Sequence, residues 1–317
     1  MRSQDQSTLS LPATMLALPP LSLFFLADWL QGWFAWRGSA PAVALPADIG
    51  ASDASARLLI LAASLALVAV VYLVVLRFFA DVLDEFGPRM RRWVLGWYAG
   101  GITLGAIWVM SGWGQVTLSD QLGANFLPTA ITSLDAAAGG NDTLFGRFEV
   151  LITAMRLVAM LAAGIVVTGA VSCLASPLAT LGQDEERAYI RRQRARLHGY
   201  VSASSVLLVS TIVWQVAWMR WPSVVLGEAR GAYLGQIESA AIYSGVTASA
   251  VIACFAIPVA SILSARAAAL PRVDGEEPEP ALFDQGLVDT LGKVLVVAAP
   301  AIASALPALA EGVGLLR

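Results

Sequence analysis

The chain has 317 residues, of which 57% are hydrophobic and 14% are charged, and its mean hydropathy is +0.70. A soluble domain carries about 25% charged residues, so this composition excludes an ordinary water-soluble fold, whose surface it would leave largely apolar. The formal net charge of −3 lacks the basic excess of a nucleic-acid-binding face, and we expect no nucleic-acid partner.

Near the N-terminus, about residues 15–36 predict a membrane-spanning helix. The stretch is interrupted by Pro19, Pro20 and Asp28, so the alternative is a helix lying at the membrane interface, a zone that tryptophans favour. We do not expect a signal peptide, because no small-residue cleavage site follows a compact apolar core.

Five further apolar stretches predict helices that cross a bilayer. About 20 helical residues span the ~30 Å hydrocarbon core, where only helices or closed barrels satisfy every backbone polar group. The stretches are continuous rather than alternating in polarity, which favours helices. The sequence thus predicts an all-α, polytopic integral membrane protein with five such spans and a sixth at the N-terminus. The five cover residues 58–78, 93–112, 150–176, 199–218 and 240–264.

The arginines predict how these helices are oriented. The segments after the first, third and fifth of the five spans are Arg-rich, whereas the opposite loops hold Arg147, Arg220 and Arg230. Because cytoplasmic loops carry the excess of basic residues, we expect residues 79–92 and 181–198 in the cytoplasm and the protein in the cell inner (plasma) membrane.

The second and later spans also carry small or polar residues at helical spacing. Two GxxxG steps let helix backbones approach closely, within the bundle or between subunits. The polar stripes of the fourth and fifth spans each follow one helix face, where they either hydrogen-bond across the helices or line a polar pathway. The glycines are Gly96, Gly100, Gly101 and Gly105, and the stripes consist of Ser204, Thr211, Gln215, Ser244, Thr247 and Ser261.

The segment from Asp184 to Trp218 predicts one long helix whose first turns project from the membrane. Its acidic start and the basic residues that follow suit the helix macrodipole. The basic run is either a solvated stretch that sets the orientation or a set of contacts for anionic lipid headgroups. The candidate lipid contacts are Arg191, Arg192, Arg194 and Arg196.

The C-terminal part differs from the bundle predicted over residues 1–270. Residues 271–280 (PRVDGEEPEP) predict an acidic, proline-rich linker. Residues 281–317 then predict an amphipathic helix docked on the cytoplasmic side, with another span over residues 294–310 as the alternative.

No residue pattern indicates catalysis, a metal or a cofactor. His198 is the single histidine, Cys173 and Cys254 stand alone in apolar stretches, and phosphate-binding and nucleophile motifs are absent. We therefore expect a non-enzymatic, oligomeric subunit that forms a pore or scaffolds a membrane complex. Its expected partners are membrane lipids and either copies of itself or other subunits. The alternatives are a carrier of small solutes or lipids with a cavity between the fourth and fifth spans, and a membrane-embedded lipid-modifying enzyme.

Overall fold

The structure, a computed structural model, describes residues 7–8, 15–16, 18–34, 49–110, 126–137, 144–177 and 182–270. This part of the chain is almost entirely helical. The helices are α1 (Leu18–Phe34), α2 (Ile49–Glu85), α3 (Pro88–Met110), α4 (Phe126–Ala137), α5 (Leu144–Ser172), α6 (Gln183–Arg220) and α7 (Arg230–Ala268).

Short elements complete the described part of the chain. Two 3-10 turns, Trp221–Val225 and Gly227–Ala229, join α6 to α7, and the two-residue strands Ser7–Thr8 and Ser176–Pro177 pair antiparallel. The predicted linker at 271–280 and the predicted helix at 281–317 lie outside the described residues.

Four helical segments are long and apolar enough to cross a bilayer: Gly50–Glu85, Gly146–Ser172, Gln183–Val225 and Gly227–Ala268. These segments support a helical membrane protein, but the predicted count of five or six spans is not confirmed. α3 is 23 residues long and is not one of these four segments, although its residues 93–110 carry no charge. The apolar part of α1, Leu18–Ala27, is shorter than a crossing requires.

α2 illustrates why the sequence forms these long helices. Its segment 58–76 has no charge, proline or glycine, and a helix satisfies the backbone polar groups of such a segment internally. One side is buried at seven-residue intervals through Ile60, Leu67 and Val74, whereas Leu65 and Leu73 are 72% and 65% exposed. A leucine-rich exposed side of this size indicates contact with lipid rather than water.

The core lies between α2, α5, α6 and α7. α6 and α7 form the most extensive helix pair, α2 packs against both α5 and α6, α3 packs against α5, and α1 packs against α7. The predicted long helix from Asp184 to Trp218 is confirmed, because α6 runs without interruption. α7 likewise continues through Pro258. The largest fully buried side chains are Trp221, Tyr200, Phe78, Phe86 and Phe255.

Candidate functional site

Two polar clusters lie near opposite ends of α2. Arg57 and Arg77 bracket the charge-free segment 58–76, and the helix between them is about 30 Å long, which matches the hydrocarbon core of a bilayer. Asp53 accompanies Arg57 at one end, and Asp81 follows Arg77 at the other. The two clusters therefore have the separation expected of groups at the two membrane interfaces.

The first cluster is centred on Arg196 and consists of Asp81 on α2 and Gln193, Arg196 and Tyr200 on α6; we call it the Arg196 cluster. Nη1 of Arg196 donates a 2.9 Å hydrogen bond to Oε1 of Gln193, and Nε lies 3.7 Å from the carboxylate of Asp81. The guanidinium carbon is 5.1 Å from the ring centroid of Phe86. Burying such a pair carries a desolvation cost that hydrogen bonds must offset.

Several donors of this cluster lack an acceptor within the described chain. Nε2 of Gln193 and Nη2 of Arg196 are buried without a hydrogen-bond partner, although Gln193 is 0% exposed and Arg196 only 8% exposed. The hydroxyl of Tyr200 is likewise buried without a hydrogen-bond partner. An unsatisfied buried donor costs about 1–3 kcal/mol, so such groups usually meet an acceptor from water or a ligand.

Two glycines let the neighbouring side chains approach the backbone. The ring of Tyr200 lies on Gly169 of α5, where an added Cβ would overlap three ring atoms. The guanidinium of Arg77 lies against Gly199 and 5.9 Å from the centroid of the Tyr200 ring. Glycine at these positions brings α2, α5 and α6 together around the Arg196 cluster.

The backbone carbonyl groups after α5 accept hydrogen bonds from side chains of other helices. The hydroxyl of Tyr189 on α6 donates a 2.6 Å hydrogen bond to the carbonyl of Ala175, and Nη1 of Arg266 on α7 donates a 2.9 Å bond to the carbonyl of Leu174. Carbonyls past a helix C-terminus have no partner within the helix, so these bonds satisfy them. They also place the Arg-bearing end of α7 beside the Arg-bearing ends of α2 and α6.

The second cluster joins α2 to the turn after α6. Nε1 of Trp221 donates a 2.7 Å hydrogen bond to Oδ1 of Asp53, whose Oδ2 lies 2.6 Å from Nη2 of Arg57. The guanidinium carbon of Arg57 is 5.6 Å from the Trp221 ring centroid, and the ring of Phe148 packs at 4.9 Å between centroids. In this cluster, which we call the Trp221 cluster, both carboxylate oxygens of Asp53 have a partner, whereas Nε of Arg57 is buried without a hydrogen bond.

The predicted polar stripes lie on the paired helices α6 and α7, but their hydroxyls bond their own helices. Ser204 donates to the carbonyl of Tyr200, Thr211 to that of Leu207, and Ser261 to that of Ile257, each at 2.8 Å. Ser204 is buried and Ser261 is exposed. The remaining members of the stripes are partly buried: Gln215, Ser244 and Thr247.

The predicted GxxxG glycines differ in their surroundings. A Cβ on Gly105 would meet the methyl group of Met160 on α5 at 2.9 Å, so this glycine does permit close helix packing within the chain. Gly96, Gly100 and Gly101 are exposed, and a Cβ on any of them would have no atom of the described chain within 4 Å. Packing inside the bundle therefore accounts for one of the four glycines.

The four arginines predicted to contact anionic lipids are not equivalent. Arg191 and Arg192 are exposed and Arg194 is partly buried, as a surface role requires. Arg196 differs from the other three, because it is buried against Asp81 and Gln193. Residues 193, 196 and 200 recur at helical spacing on the buried side of α6. This spacing could have identified Arg196 as inward-facing, but it is hard to recognise within a run of arginines.

No group of three or more His, Cys, Asp or Glu side chains that could hold a metal ion occurs among the described residues. Cys173 is buried and Cys254 partly buried, and both are free thiols. No protein-family model matches this chain, and neither characterised proteins nor solved structures show significant similarity to it.

Proposed function

We propose that this protein is a non-enzymatic, membrane-embedded scaffold subunit that associates with a second copy of itself through the outward side of α3. The observation that carries this proposal is the open glycine surface of α3. Gly96 and Gly100 form one GxxxG step on this side, and Trp93, Trp97 and Ile107 are exposed along it. These residues recur at intervals of three, four and seven, so they share one helix side.

The opposite side of α3 already has a partner. Gly105 contacts Met160 on α5, and the ring of Tyr98 lies 3.9 Å from the position that a Cβ on Gly164 of α5 would take. α3 therefore uses one glycine for packing within the chain and leaves a GxxxG step on its outward side. In lipid, close van der Waals packing between backbones drives helix association, and glycine makes such packing possible.

The proposed orientation in the cell inner (plasma) membrane places the Arg-bearing ends of α2, α6 and α7 in the cytoplasm. The contacts of Arg196 with Asp81 and of Arg266 with Leu174 support one shared end for these segments. Such an enrichment of arginine at one end is typical of the cytoplasmic side of inner-membrane proteins. Residues 79–92 and 181–198 would then be accessible to cytoplasmic reagents only.

Native mass spectrometry in a mild detergent tests the proposal directly. We expect a dimer, and we expect Gly100→Leu to weaken its association at least tenfold, because the leucine side chain holds the two α3 backbones apart. Gly235→Leu is the matched control, since Gly235 is also a helical glycine with open space around its Cα but lies on α7.

A wild-type protein that stays monomeric at every concentration would overturn the proposal. Equal weakening by Gly100→Leu and Gly235→Leu would place the interface elsewhere and would equally contradict it. Solute flux into proteoliposomes by such a monomer would instead favour the carrier alternative.

A further inference from the structure

Charge and hydrogen-bonding capacity at the arginine-rich end exceed what the described chain satisfies. Arg77, Arg196, Asp81 and Glu85 all lie around the thiol of Cys173, and Arg266 is bonded to the neighbouring Leu174. The three guanidinium groups outnumber the two carboxylates, so the region carries excess positive charge. Two buried donors there, Nε2 of Gln193 and Nη2 of Arg196, have no acceptor.

We propose that the Arg196 cluster binds a phosphate group. Nη2 of Arg196 and Nε2 of Gln193 donate to phosphate oxygens, and Arg77 supplies a second guanidinium at the rim. Nε2 of Gln193 and Nη2 of Arg196 are donors, which favours an acceptor-rich anion, whereas Oδ2 of Asp81, the acceptor that also lacks a hydrogen bond, is ion-paired with Nε of Arg196 at 3.7 Å. Guanidinium groups bind phosphate well because their forked N–H donors match its oxygens.

The depth of the cluster agrees with this ligand. Arg77 immediately follows the charge-free segment 58–76, whose helical length is close to the ~30 Å hydrocarbon core, so it lies at the level of the lipid headgroups. The side chain of Arg77 is exposed, whereas Gln193 and Arg196 are buried behind it. A phospholipid headgroup reaches this level from the bilayer, and free phosphate reaches it from the aqueous phase.

The site differs from a general attraction of lipid to surface arginines. Arg191 and Arg192 are exposed on the same helix and offer charge without buried donors. A single bound phosphate group should therefore depend on Arg77 and Gln193 and be indifferent to Arg191. The site is formed by α2 and α6, so the proposal does not depend on association through α3.

Binding to the delipidated, full-length protein in mild detergent tests the proposal. Phosphatidylglycerol, diacylglycerol with the same acyl chains and inorganic phosphate are added separately, and bound molecules are counted by native mass spectrometry while the melting temperature is followed. We expect one tightly bound phosphatidylglycerol. Arg77→Gln is expected to weaken its binding about tenfold, the effect of losing one charge-assisted contact, and Arg191→Gln is the matched control.

Gln193→Leu provides a second variant that removes a buried donor without changing the charge, and its helical circular dichroism verifies that it folds. Tight binding of phosphatidylglycerol alone identifies a lipid headgroup, and equal stabilisation by inorganic phosphate identifies a free anion; both support a phosphate site. Equal binding of diacylglycerol, or equal weakening by Arg77→Gln and Arg191→Gln, would overturn it. Unchanged phosphatidylglycerol binding in both Arg77→Gln and Gln193→Leu would mean that water, and not phosphate, accepts the hydrogen bonds of the buried donors. That result would also overturn the proposal.

Discussion

Gly169→Ala is expected to destabilise the bundle, although alanine is the better helix former. Helix propensity alone favours alanine over glycine by about 1 kcal/mol. The added Cβ at position 169, however, would overlap three ring atoms of Tyr200, a side chain that is only 1% exposed. Overpacking of a buried site costs about 1–3 kcal/mol, so we expect a net loss of up to about 2 kcal/mol.

Two other glycines provide the comparison. A Cβ on Gly199 would overlap only the guanidinium of Arg77, the far end of a flexible side chain that can move outward. Gly199→Ala is therefore expected to be close to neutral. Gly100 has open space, so Gly100→Ala is expected to gain up to about 1 kcal/mol from helix propensity when the protein is monomeric.

Thermal unfolding in detergent, followed by intrinsic tryptophan fluorescence, measures this series. We expect the melting temperature to fall by several degrees for Gly169→Ala, because about 1 kcal/mol corresponds to 2–4 °C for domains of roughly this size. Adding Tyr200→Leu to Gly169→Ala should recover part of the loss by providing room for the methyl group. If Gly169→Ala melts at or above the wild-type temperature, Tyr200 does not pack on α5 and the geometry of the Arg196 cluster is wrong.

Three further substitutions probe separate contacts. Arg196→Gln is expected to cost about 1–3 kcal/mol, because it removes a buried hydrogen bond to Gln193 and the counter-charge of the partly buried Asp81, whereas Arg191→Gln should leave the melting temperature unchanged. Trp221→Phe removes the 2.7 Å hydrogen bond to Asp53 and should cost about 1.5–3 kcal/mol in chemical denaturation; a loss below the experimental error would refute this contact. Tyr243→Phe removes the 2.8 Å bond that joins α7 to α1, so amide hydrogen exchange should accelerate across α1 and remain unchanged in α5.

The local sequence pattern was sufficient to predict the class of protein and most of its helices. The charge-free segment 58–76 has no alternative to a helix in lipid, and the acidic start of α6 followed by a long apolar stretch correctly indicated one continuous helix. The predicted number of spans is not confirmed, since four segments of the described chain are long and apolar enough to cross a bilayer. Length and mean polarity decide membrane insertion, and both are properties of a single segment.

Contacts between helices were less predictable. The basic run of α6 suggests a uniform surface of arginines, yet Arg196 is buried while Arg191 is exposed. The Ser64–Trp214 hydrogen bond of 3.1 Å between α2 and α6 had no signal in the sequence, because neither residue follows a polar stripe. A helix that is apolar on all sides does not reveal which side meets protein and which meets lipid, since both environments exclude water.

By itself, the sequence determined that the chain forms long apolar helices, four of which are long enough to cross a bilayer. That outcome follows from the transfer of apolar side chains and backbone groups out of water, which each segment undergoes separately. Only the tertiary structure decided that Gln193 and Arg196 turn inward toward Asp81 while Gly96 and Gly100 remain open. Those choices depend on the shapes of facing helices, and shape complementarity exists only once the helices are packed together.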